Sequence, residues 1–232
     1  MRIAPLHDWD LSIEAARQLQ TELAARIDTS QPLAAWSTVA AADVSYQRFS
    51  PTLYAAVVVV EAGTHQVLEC SAVSMEVRFP YVPGFLSFRE LPPLLEAFRR
   101  LTTDPDVVLC DGQGLAHPRR LGLACHLGLW LERPTIGCAK SRLVGDHDQP
   151  GPRRGDRVPL IDRGELVGAV VRTRDQVRPV YVSPGHRCDL DSAIAVVLGT
   201  SGRTRLPEPA RLAHHAVNQL RQAAGGGSAT AD

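Results

Sequence analysis

The sequence predicts an α/β protein with a mixed central sheet and helices on both of its faces. Three valine-rich segments in the first third of the chain are separated only by turn residues, which indicates an antiparallel meander. Short apolar segments then alternate with helical periodicity, which is typical of parallel β-α units. A chain of 232 residues suffices for one core. We therefore predict a single domain over residues 1–223 and a disordered, glycine-rich tail over residues 224–232.

The first half of the chain supplies two helices and the meander between them. Residues 11–28 carry apolar side chains at three- and four-residue spacing, which predicts an amphipathic helix. The strands of the meander are predicted at residues 37–44, 54–61 and 67–79. The second helix is predicted over residues 87–101, because its apolar side chains fall on one face, and Ser87 and Glu90 have the spacing of a capping box at its start.

The second half of the chain begins with the alternation of strand and helix. The elements predicted there are a strand at 106–110, a helix at 119–130, strands at 135–139, 158–161, 166–172 and 180–182, and helices at 191–199 and 209–222. The turn Asp162-Arg163-Gly164 joins two of these strands as a hairpin. Because a helix separates the first two strands, we expect them to run parallel.

Charge is distributed unevenly along a chain whose net charge is zero. Residues 1–111 hold 8 Arg and 14 acidic residues, a net charge of −6, whereas residues 112–232 carry +6. This asymmetry favours a basic face for an acidic partner such as nucleic acid, although a solvated surface without a partner gives the same count. No segment approaches the roughly 18 apolar residues that a membrane span needs, and the first residues do not resemble a signal peptide, so we predict a cytoplasmic protein.

The cysteines indicate a reducing compartment. The chain has five cysteines, at positions 70, 110, 125, 138 and 188, and no two of them form a Cys-x-x-Cys pair. Most lie in apolar surroundings, such as Val107-Val108-Leu109-Cys110. We therefore expect buried free thiols and not a zinc site or disulfides.

Three acidic residues are candidates for one site. Asp43 and Asp111 each end an apolar, β-branched segment, and Glu90 lies between them in the sequence. Taken singly, each has a structural explanation: Asp43 as a strand-end acid, Glu90 as a capping-box residue, and Asp111 with Gly112 as an Asp-Gly turn. Gathered at one edge of a sheet, the carboxylates would hold Mg²⁺ for hydrolysis of a phosphodiester.

The segment Pro80-Tyr81-Val82-Pro83-Gly84 places an aromatic ring on a stiff loop. Two prolines restrict the backbone, and Gly84 permits close approach of a ligand. A rigidly held ring can enter a base stack and help to extrude a nucleotide, at a cost that is lowest at a mismatched or damaged pair. The alternative is a tyrosine that packs within a hairpin.

Two basic residues are further candidates. Lys140 is the single lysine in a chain with 24 arginines, and its compact ammonium suits a phosphate oxygen better than a broad guanidinium does. It is otherwise a surface lysine retained by chance. His214 is the second candidate, although His215 follows it and either side chain can be a surface residue.

Seven motifs in order resemble those of the endonuclease V family. They are Ala42-Asp43-Val44-Ser45-Tyr46, residues 80–90, Val108-Leu109-Cys110-Asp111-Gly112-Gln113-Gly114, Ala116-His117-Pro118-Arg119-Arg120, Ile136-Gly137-Cys138-Ala139-Lys140, Val182-Ser183-Pro184-Gly185-His186 and residues 205–214. The resemblance covers most of residues 37–214, and the predicted topology is similar to that of ribonuclease H-like nucleases. It therefore implies a ribonuclease H-like fold.

The resemblance also implies an activity. A member of this family is expected to be a DNA repair endonuclease that recognises deoxyinosine, the product of adenine deamination. It would hydrolyse the second phosphodiester bond 3′ to the lesion and leave a 3′-hydroxyl and a 5′-phosphate. The implied cofactor is Mg²⁺, for which Mn²⁺ can substitute. The implied partner is inosine-containing DNA, and single-stranded DNA and RNA stay open as further substrates. No membrane partner is expected, and we expect a monomer.

The resemblance assigns residues to roles. The catalytic group is Asp43, Glu90, Asp111, Lys140 and His214, of which Asp43, Asp111 and Glu90 are the implied metal ligands. Tyr81 is the implied wedge. The positions implied to contact the DNA or the extruded base are Pro80, Pro83, Gly84, Leu86, Gly112, His117 and Leu123.

Other functions remain as alternatives. A structure-selective nuclease of the same fold, such as a junction resolvase or a transposase-like enzyme, has no use for the Pro-Tyr-Val-Pro-Gly wedge. A non-catalytic inosine-binding module is expected to have lost a carboxylate, and none is lost here. An inosine-specific ribonuclease also stays open. The motifs do not reveal contacts to the 2′-position of the sugar, so they do not separate a DNA substrate from an RNA substrate.

Overall fold

The structure, a computed structural model, describes residues 1, 3–33, 35–47 and 50–225. In chain order its elements are α1 (Ile13–Ala24), β1 (Thr38–Tyr46), β2 (Thr52–Glu61), β3 (Val67–Glu76), α2 (Leu86–Arg99), β4 (Val107–Cys110), α3 (Leu123–Leu131), β5 (Thr135–Ala139), β6 (Arg157–Asp162), β7 (Glu165–Val171), β8 (Val180–His186), α4 (Leu190–Thr200) and α5 (Glu208–Gly225). The prediction of an α/β protein is confirmed.

The strands form one sheet in the order β3-β2-β1-β4-β5-β8-β7-β6. The meander β1-β2-β3 is antiparallel, and β4 and β5 continue from β1 in parallel, as predicted for a ribonuclease H-like fold. Beyond β5 the sheet is antiparallel again, through β8, β7 and β6. The hairpin between β6 and β7 turns at Arg163 and Gly164, both with positive φ, as expected for a two-residue turn.

Helices cover both faces of the sheet. Side chains of α2 and α3 pack with Ala40 and Ala42 of β1, whereas side chains of α4 and α5 pack with Val39 and Ala41. This alternation is the period of two of a strand, so odd-numbered positions of β1 face α5. Helix α1 lies outside this layer and packs on α3 through Leu23.

The start of α2 corrects a prediction. The helix begins at Leu86, and Phe85 at its N-cap makes no side-chain capping bond. The Ser87 hydroxyl lies 3.0 Å from Nδ1 of His126 instead, and Glu90 is only 8% exposed. The capping-box interpretation of Ser87 and Glu90 is therefore wrong, and capping does not explain the acid at position 90.

Other element boundaries also differ from the predictions. Helix α3 begins at Leu123 and not at residue 119, because Arg120 has a φ of 56°, outside the helical region. Strand β8 continues to His186, four residues beyond the prediction, and pairs with β5. Helix α5 includes Gly225, so the first two residues of the tail predicted at 224–232 are helical, and residues 226–232 lie outside the described residues.

The cysteines match the expectation of free thiols. Cys110, Cys125, Cys138 and Cys188 are buried, and Cys70 on β3 is exposed. Burial raises the pKa of the Cys125 thiol to about 12, which keeps it protonated and unreactive. Within the described ranges, no helix combines the length and the apolarity needed to cross a membrane.

Candidate active site

The carboxyl ends of the three parallel strands bring charged side chains to one edge of the sheet. Asp43 lies on β1, Asp111 follows β4 directly, and Lys140 follows β5 directly. The registers pair Ala42 with Cys110 and Cys110 with Gly137, so these strand ends are level. We refer to Asp43, Glu90, Asp111 and Lys140 as the carboxylate edge.

Asp43 is held by a chain of polar side chains from α5. Its Oδ2 lies 2.7 Å from Nδ1 of His214, and its Oδ1 accepts the backbone N–H of Val44 at 2.9 Å. Asn218 Nδ2 lies 3.0 Å from Nε2 of His214, and the Ser45 hydroxyl lies 3.1 Å from Asn218 Oδ1. Every group is satisfied when Ser45 donates to Asn218, Asn218 to His214, and His214 through Nδ1–H to Asp43.

Sequence reasoning placed His214 near this edge but missed Asn218. The signal was available, because Asn218 lies four residues after His214 on α5 and the two side chains share one helix face.

Asp111 pairs with Lys140. The ammonium of Lys140 donates to Asp111 Oδ2, and the two side chains are 42% and 22% exposed. Arg205 fixes the backbone beneath this pair by donating to the carbonyl of Lys140 at 2.6 Å and to that of Pro179 at 2.7 Å. Lys140 is therefore not an isolated surface lysine.

Glu90 reaches the same edge from α2. Burial first, and then the nearby charges of Asp43 and Asp111, raise the pKa of its carboxyl from the usual 4.5 to about 8, against the opposing charge of Arg89. The pKa of Asp43 is also raised, first by burial and then by Asp111, against the opposing effect of His214. The three carboxyl groups thus lie close enough to repel one another.

This donor set fits a hard divalent cation. Carboxylate oxygens are the ligands that Mg²⁺ prefers, and the neighbouring carboxylates contribute, after burial, to the raised pKa values of Asp43 and Glu90, a repulsion that a cation would relieve. In the described part of the chain, no three Asp, Glu, His or Cys side chains are arranged as a ready-made metal site. Lys140 and His214 each occupy one carboxylate oxygen at the edge.

A cavity of about 420 Å³ opens directly beside the carboxylate edge. Asp111 and Lys140 belong to its wall. The predicted base-contact residues that line it are Tyr81, Pro83, Gly84, Leu86, Gly112, His117 and Leu123, whereas Pro80 does not. Ser87, Gln113, Leu121, Ser141 and Leu143 line it as well and were not predicted. The volume is that of a site for a small organic group, for which about 300–1,000 Å³ is usual.

Main chain packs closely around the loop after β4, of which Gly112 and Gln113 line the cavity. A Cβ on Gly114 would lie 2.1 Å from the carbonyl oxygen of Pro184, and a Cβ on Gly137 would lie 2.4 Å from the amide nitrogen of Gly114. The loop after β4 therefore rests on β5 and β8 with backbone against backbone. The amide of Gly114 is satisfied by the Ser183 hydroxyl at 2.8 Å.

Tyr81 stands at the mouth of the cavity. Its side chain is 63% exposed, so it is not packed within a hairpin. The loop that carries it, residues 80–85 and here called the recognition loop, is closed by a bond from the Phe85 amide to the Val82 carbonyl at 3.0 Å. Gly84 allows this turn with a φ of 80°, which other residues rarely adopt.

Two basic residues of the fourth motif have protein partners. Arg120 donates to Asp162 and to Glu165, each at 2.8 Å, and so fastens the loop after β4 to the β6–β7 hairpin. His117 lies 3.1 Å from the carbonyl oxygen of Gly84 through Nε2. Burial and the charge of Arg119 lower the pKa of His117 to about 4, so at neutral pH it donates Nε2–H as an uncharged imidazole.

Comparison with known proteins identifies close relatives. A family model described as endonuclease V matches residues 19–215. The endonuclease V of Azotobacter vinelandii is 50% identical over 210 residues, covering 90% of this chain and 95% of the relative. The crystal structure of endonuclease V from Streptomyces avermitilis superposes with a TM-score of 0.90 at 40% identity and covers 94% of this chain and 96% of that one.

A more distant relative has been solved with nucleic acid. Endonuclease V from Ciona intestinalis, in complex with a 23mer DNA containing an inosine followed by a ribo-adenosine, superposes with a TM-score of 0.81 at 26% identity. The match covers 91% of this chain and 99% of that one.

Proposed function

Because the chain belongs to the endonuclease V family, we propose that it is a DNA repair endonuclease that recognises deoxyinosine. It hydrolyses the second phosphodiester bond 3′ to the lesion and leaves a 3′-hydroxyl and a 5′-phosphate. The observation that carries this proposal is the direct opening of the carboxylate edge into a cavity with an exposed Tyr81 at its mouth. We further propose that it acts in the cytoplasm as a monomer.

Asp43, Asp111 and Glu90 are the residues that would hold Mg²⁺, with Mn²⁺ as a substitute. The bound cation supplies Lewis acidity toward the scissile phosphate and a counter-charge for the leaving oxygen. Lys140 contributes a fixed positive charge at the same edge, where it binds a non-bridging phosphate oxygen. His214 keeps its Nδ1 proton directed at Asp43 and so orients that carboxylate.

Recognition of the lesion depends on the cavity. Tyr81 enters the base stack in place of the inosine, which turns into the cavity. Hypoxanthine presents a carbonyl oxygen where adenine presents an amino group. The cavity wall includes Leu86 and Ser87, whose amides belong to the first turn of α2 and have no carbonyl partner within that helix. Unpaired amides at a helix N-terminus donate hydrogen bonds to a carbonyl oxygen and find no acceptor in an amino group that is itself a donor.

The proposal is tested with an end-labelled duplex that carries one inosine and a matched duplex that carries adenine. In Mg²⁺ we expect one nick at the second bond 3′ to the inosine, an intact base, and no cutting of the adenine duplex. Chelation should abolish the nick and Mn²⁺ should restore it, whereas Ca²⁺, with its looser geometry, should not.

Several outcomes contradict the proposal. Release of free hypoxanthine, or a nick on the 5′ side of the lesion, means that the cavity does not hold the base in this way. Cutting that depends on DNA structure and not on inosine favours a structure-selective nuclease. Matched RNA oligonucleotides belong in the same experiment, because cutting of RNA alone assigns the protein as an inosine-specific ribonuclease.

A further inference from the structure

The carbonyl oxygen of Gly84 receives three hydrogen-bond donors. Gln20 Nε2 donates at 2.9 Å, His117 Nε2 lies at 3.1 Å, and Arg119 Nη2 donates at 2.6 Å. A carbonyl oxygen has two lone pairs, so this acceptor is fully used. Gly84 lies in the recognition loop, three residues after Tyr81 and two before Leu86 at the start of α2.

Two of these donors also bind each other. Arg119 Nε donates to Gln20 Oε1 at 2.5 Å, so the glutamine amide, the guanidinium and the Gly84 carbonyl form a closed ring of three hydrogen bonds. The guanidinium also lies over the Phe85 ring, 4.4 Å from its centroid. We refer to Gln20, His117 and Arg119 as the carbonyl clamp.

The clamp joins segments that are remote in sequence. Gln20 belongs to α1 and is fully buried, 64 positions before Gly84. The space around Gly84 is tight, since a Cβ there would lie 2.9 Å from Arg119 Nη2. The recognition loop is therefore fixed from behind by a helix that contributes no residue to the cavity wall.

Stability alone does not account for a buried glutamine at this position. A buried amide must keep all its hydrogen bonds to avoid a desolvation penalty, and an apolar side chain of similar size avoids that requirement. Arg119 forms no ion pair with an acid of the described residues, so its charge is directed at a backbone dipole instead.

We propose that Gln20 and Arg119 are positioning residues for lesion recognition. By holding the Gly84 carbonyl, they fix the Tyr81 ring on one side and the first turn of α2 on the other before DNA arrives. Binding of an extruded base then costs little ordering of the loop. This inference rests on the proposed function of the same site and adds the residues that pre-organise it.

The test compares Gln20→Met with Gln20→Glu and Arg119→Lys. Methionine keeps the length of the side chain and removes both bonds, whereas glutamate keeps an acceptor for Arg119 but loses the donor to Gly84. Loss of one or two hydrogen bonds should weaken binding to an inosine duplex by about 5- to 100-fold, and Gln20→Met should lose more than Gln20→Glu. The cleavage rate at saturating enzyme should fall by a smaller factor than binding does.

A spectroscopic signal reports the loop directly. A 2-aminopurine placed next to the inosine becomes fluorescent when Tyr81 disrupts its stacking. Saturated with Gln20→Met, the labelled duplex should show a smaller increase than with the unmodified protein. If Gln20 serves only the stability of α1, its substitution should leave the fluorescence increase at saturating protein unchanged.

Leu23→Ala is the matched control on the same helix. Leu23 is 3% exposed, clusters with Cys125 and Leu129 of α3 and is not itself in the cavity wall, so its truncation destabilises the protein through a void in the core. We expect Leu23→Ala to lower the melting temperature at least as much as Gln20→Met while leaving inosine binding and the fluorescence amplitude unchanged.

The outcomes separate the inference from the function on which it rests. Binding and fluorescence of Gln20→Met and Arg119→Lys equal to those of the unmodified protein overturn the inference alone, and so does an equal loss in Leu23→Ala. If Gln20→Met does not fold, Gln20→Glu and Arg119→Lys decide the matter by the same measurements. An unmodified protein that binds inosine and adenine duplexes equally overturns the proposed function and this inference with it.

Discussion

The carboxylate edge and the recognition loop lie side by side, yet they are built in different ways. At the edge, charged side chains extend from strand ends, and Asp43 and Asp111 each contact a basic partner. At the loop, the Tyr81 ring is carried by backbone that Gln20 and Arg119 hold from behind. A side chain of the carboxylate edge can be replaced without a change in backbone conformation, whereas the recognition loop works only in one backbone conformation. Hydrolysis and recognition should therefore respond separately to mutation.

The largest expected effect, and the sharpest test of this separation, is a substitution of Asp43. Asp43→Asn keeps the shape of the side chain and removes the charge that holds a divalent cation, which is worth several kcal/mol in the transition state. We expect the cleavage rate in Mg²⁺ to fall by at least about 1,000-fold. Binding to an inosine duplex in chelator, measured by fluorescence anisotropy, should stay near normal, because Asp43 is not in the cavity wall.

Asp111→Asn should lose activity to the same degree. Because Asp111 borders the cavity, this substitution can also change the binding of inosine DNA, so it does not separate hydrolysis from recognition. Near-normal turnover in either variant means that the carboxylate edge does not hold the metal. A loss of binding in Asp43→Asn equal to its loss of rate means that the two regions are not separable.

A smaller effect is expected at Tyr81. Stacking of a base on an aromatic ring is worth about 1–3 kcal/mol, so Tyr81→Ala should lower the ratio of rate to binding constant by about 5- to 150-fold. Tyr81→Phe should lose much less, because it keeps the ring. Both variants should still respond to Mg²⁺ as the unmodified protein does. Equal losses for the two variants on one inosine duplex would falsify the role of the ring as a wedge.

The smallest effect concerns stability at Glu90. Because the pKa of this carboxyl is about 8 in the folded protein and near 4.5 otherwise, the folded state binds more protons between these values. The free energy of unfolding should therefore fall as pH rises from 4.5 to about 8. Glu90→Gln removes this dependence and should be more stable than the unmodified protein at pH 8 by at least about 1 kcal/mol.

The measurement for Glu90 is urea unfolding at pH 5 and pH 8, in chelator so that no divalent cation compensates the charge. The two proteins should differ more at pH 8 than at pH 5. Parallel pH dependences would show that the buried carboxyl has an ordinary pKa and that repulsion at the edge is weak.

The sequence predicted the edge better than the loop, for a physical reason. Asp43, Asp111 and Lys140 each adjoin an apolar strand, and the carboxyl ends of parallel strands meet at one edge, so periodicity was enough to bring them together. Glu90 was open to a wrong explanation, because capping-box spacing also occurs by chance within a helix. Gln20 was hidden, because a buried glutamine on an amphipathic helix gives no local signal of a contact 64 residues away.

Strand β8 shows the same limit in the fold. Its predicted end at residue 182 lies before Pro184 and Gly185, two residue types that are depleted in strands. The chain continues as a strand to His186 because it pairs with β5, with a register shift between Thr135 and Ile136 that leaves Gly185 without a paired residue. Such tertiary pairing cannot be read from local propensity.

The close backbone packing around the loop after β4 also limits how this protein can be redesigned. Gly114 and Gly137 leave no room for a Cβ, so substitution there displaces main chain and cannot change the shape of the cavity in small steps. Directed evolution toward a different damaged base must therefore work on the side-chain walls, of which Leu86, Gln113 and Leu143 offer replaceable volume. Variants selected for new lesions should accumulate substitutions at those walls and leave the glycines untouched.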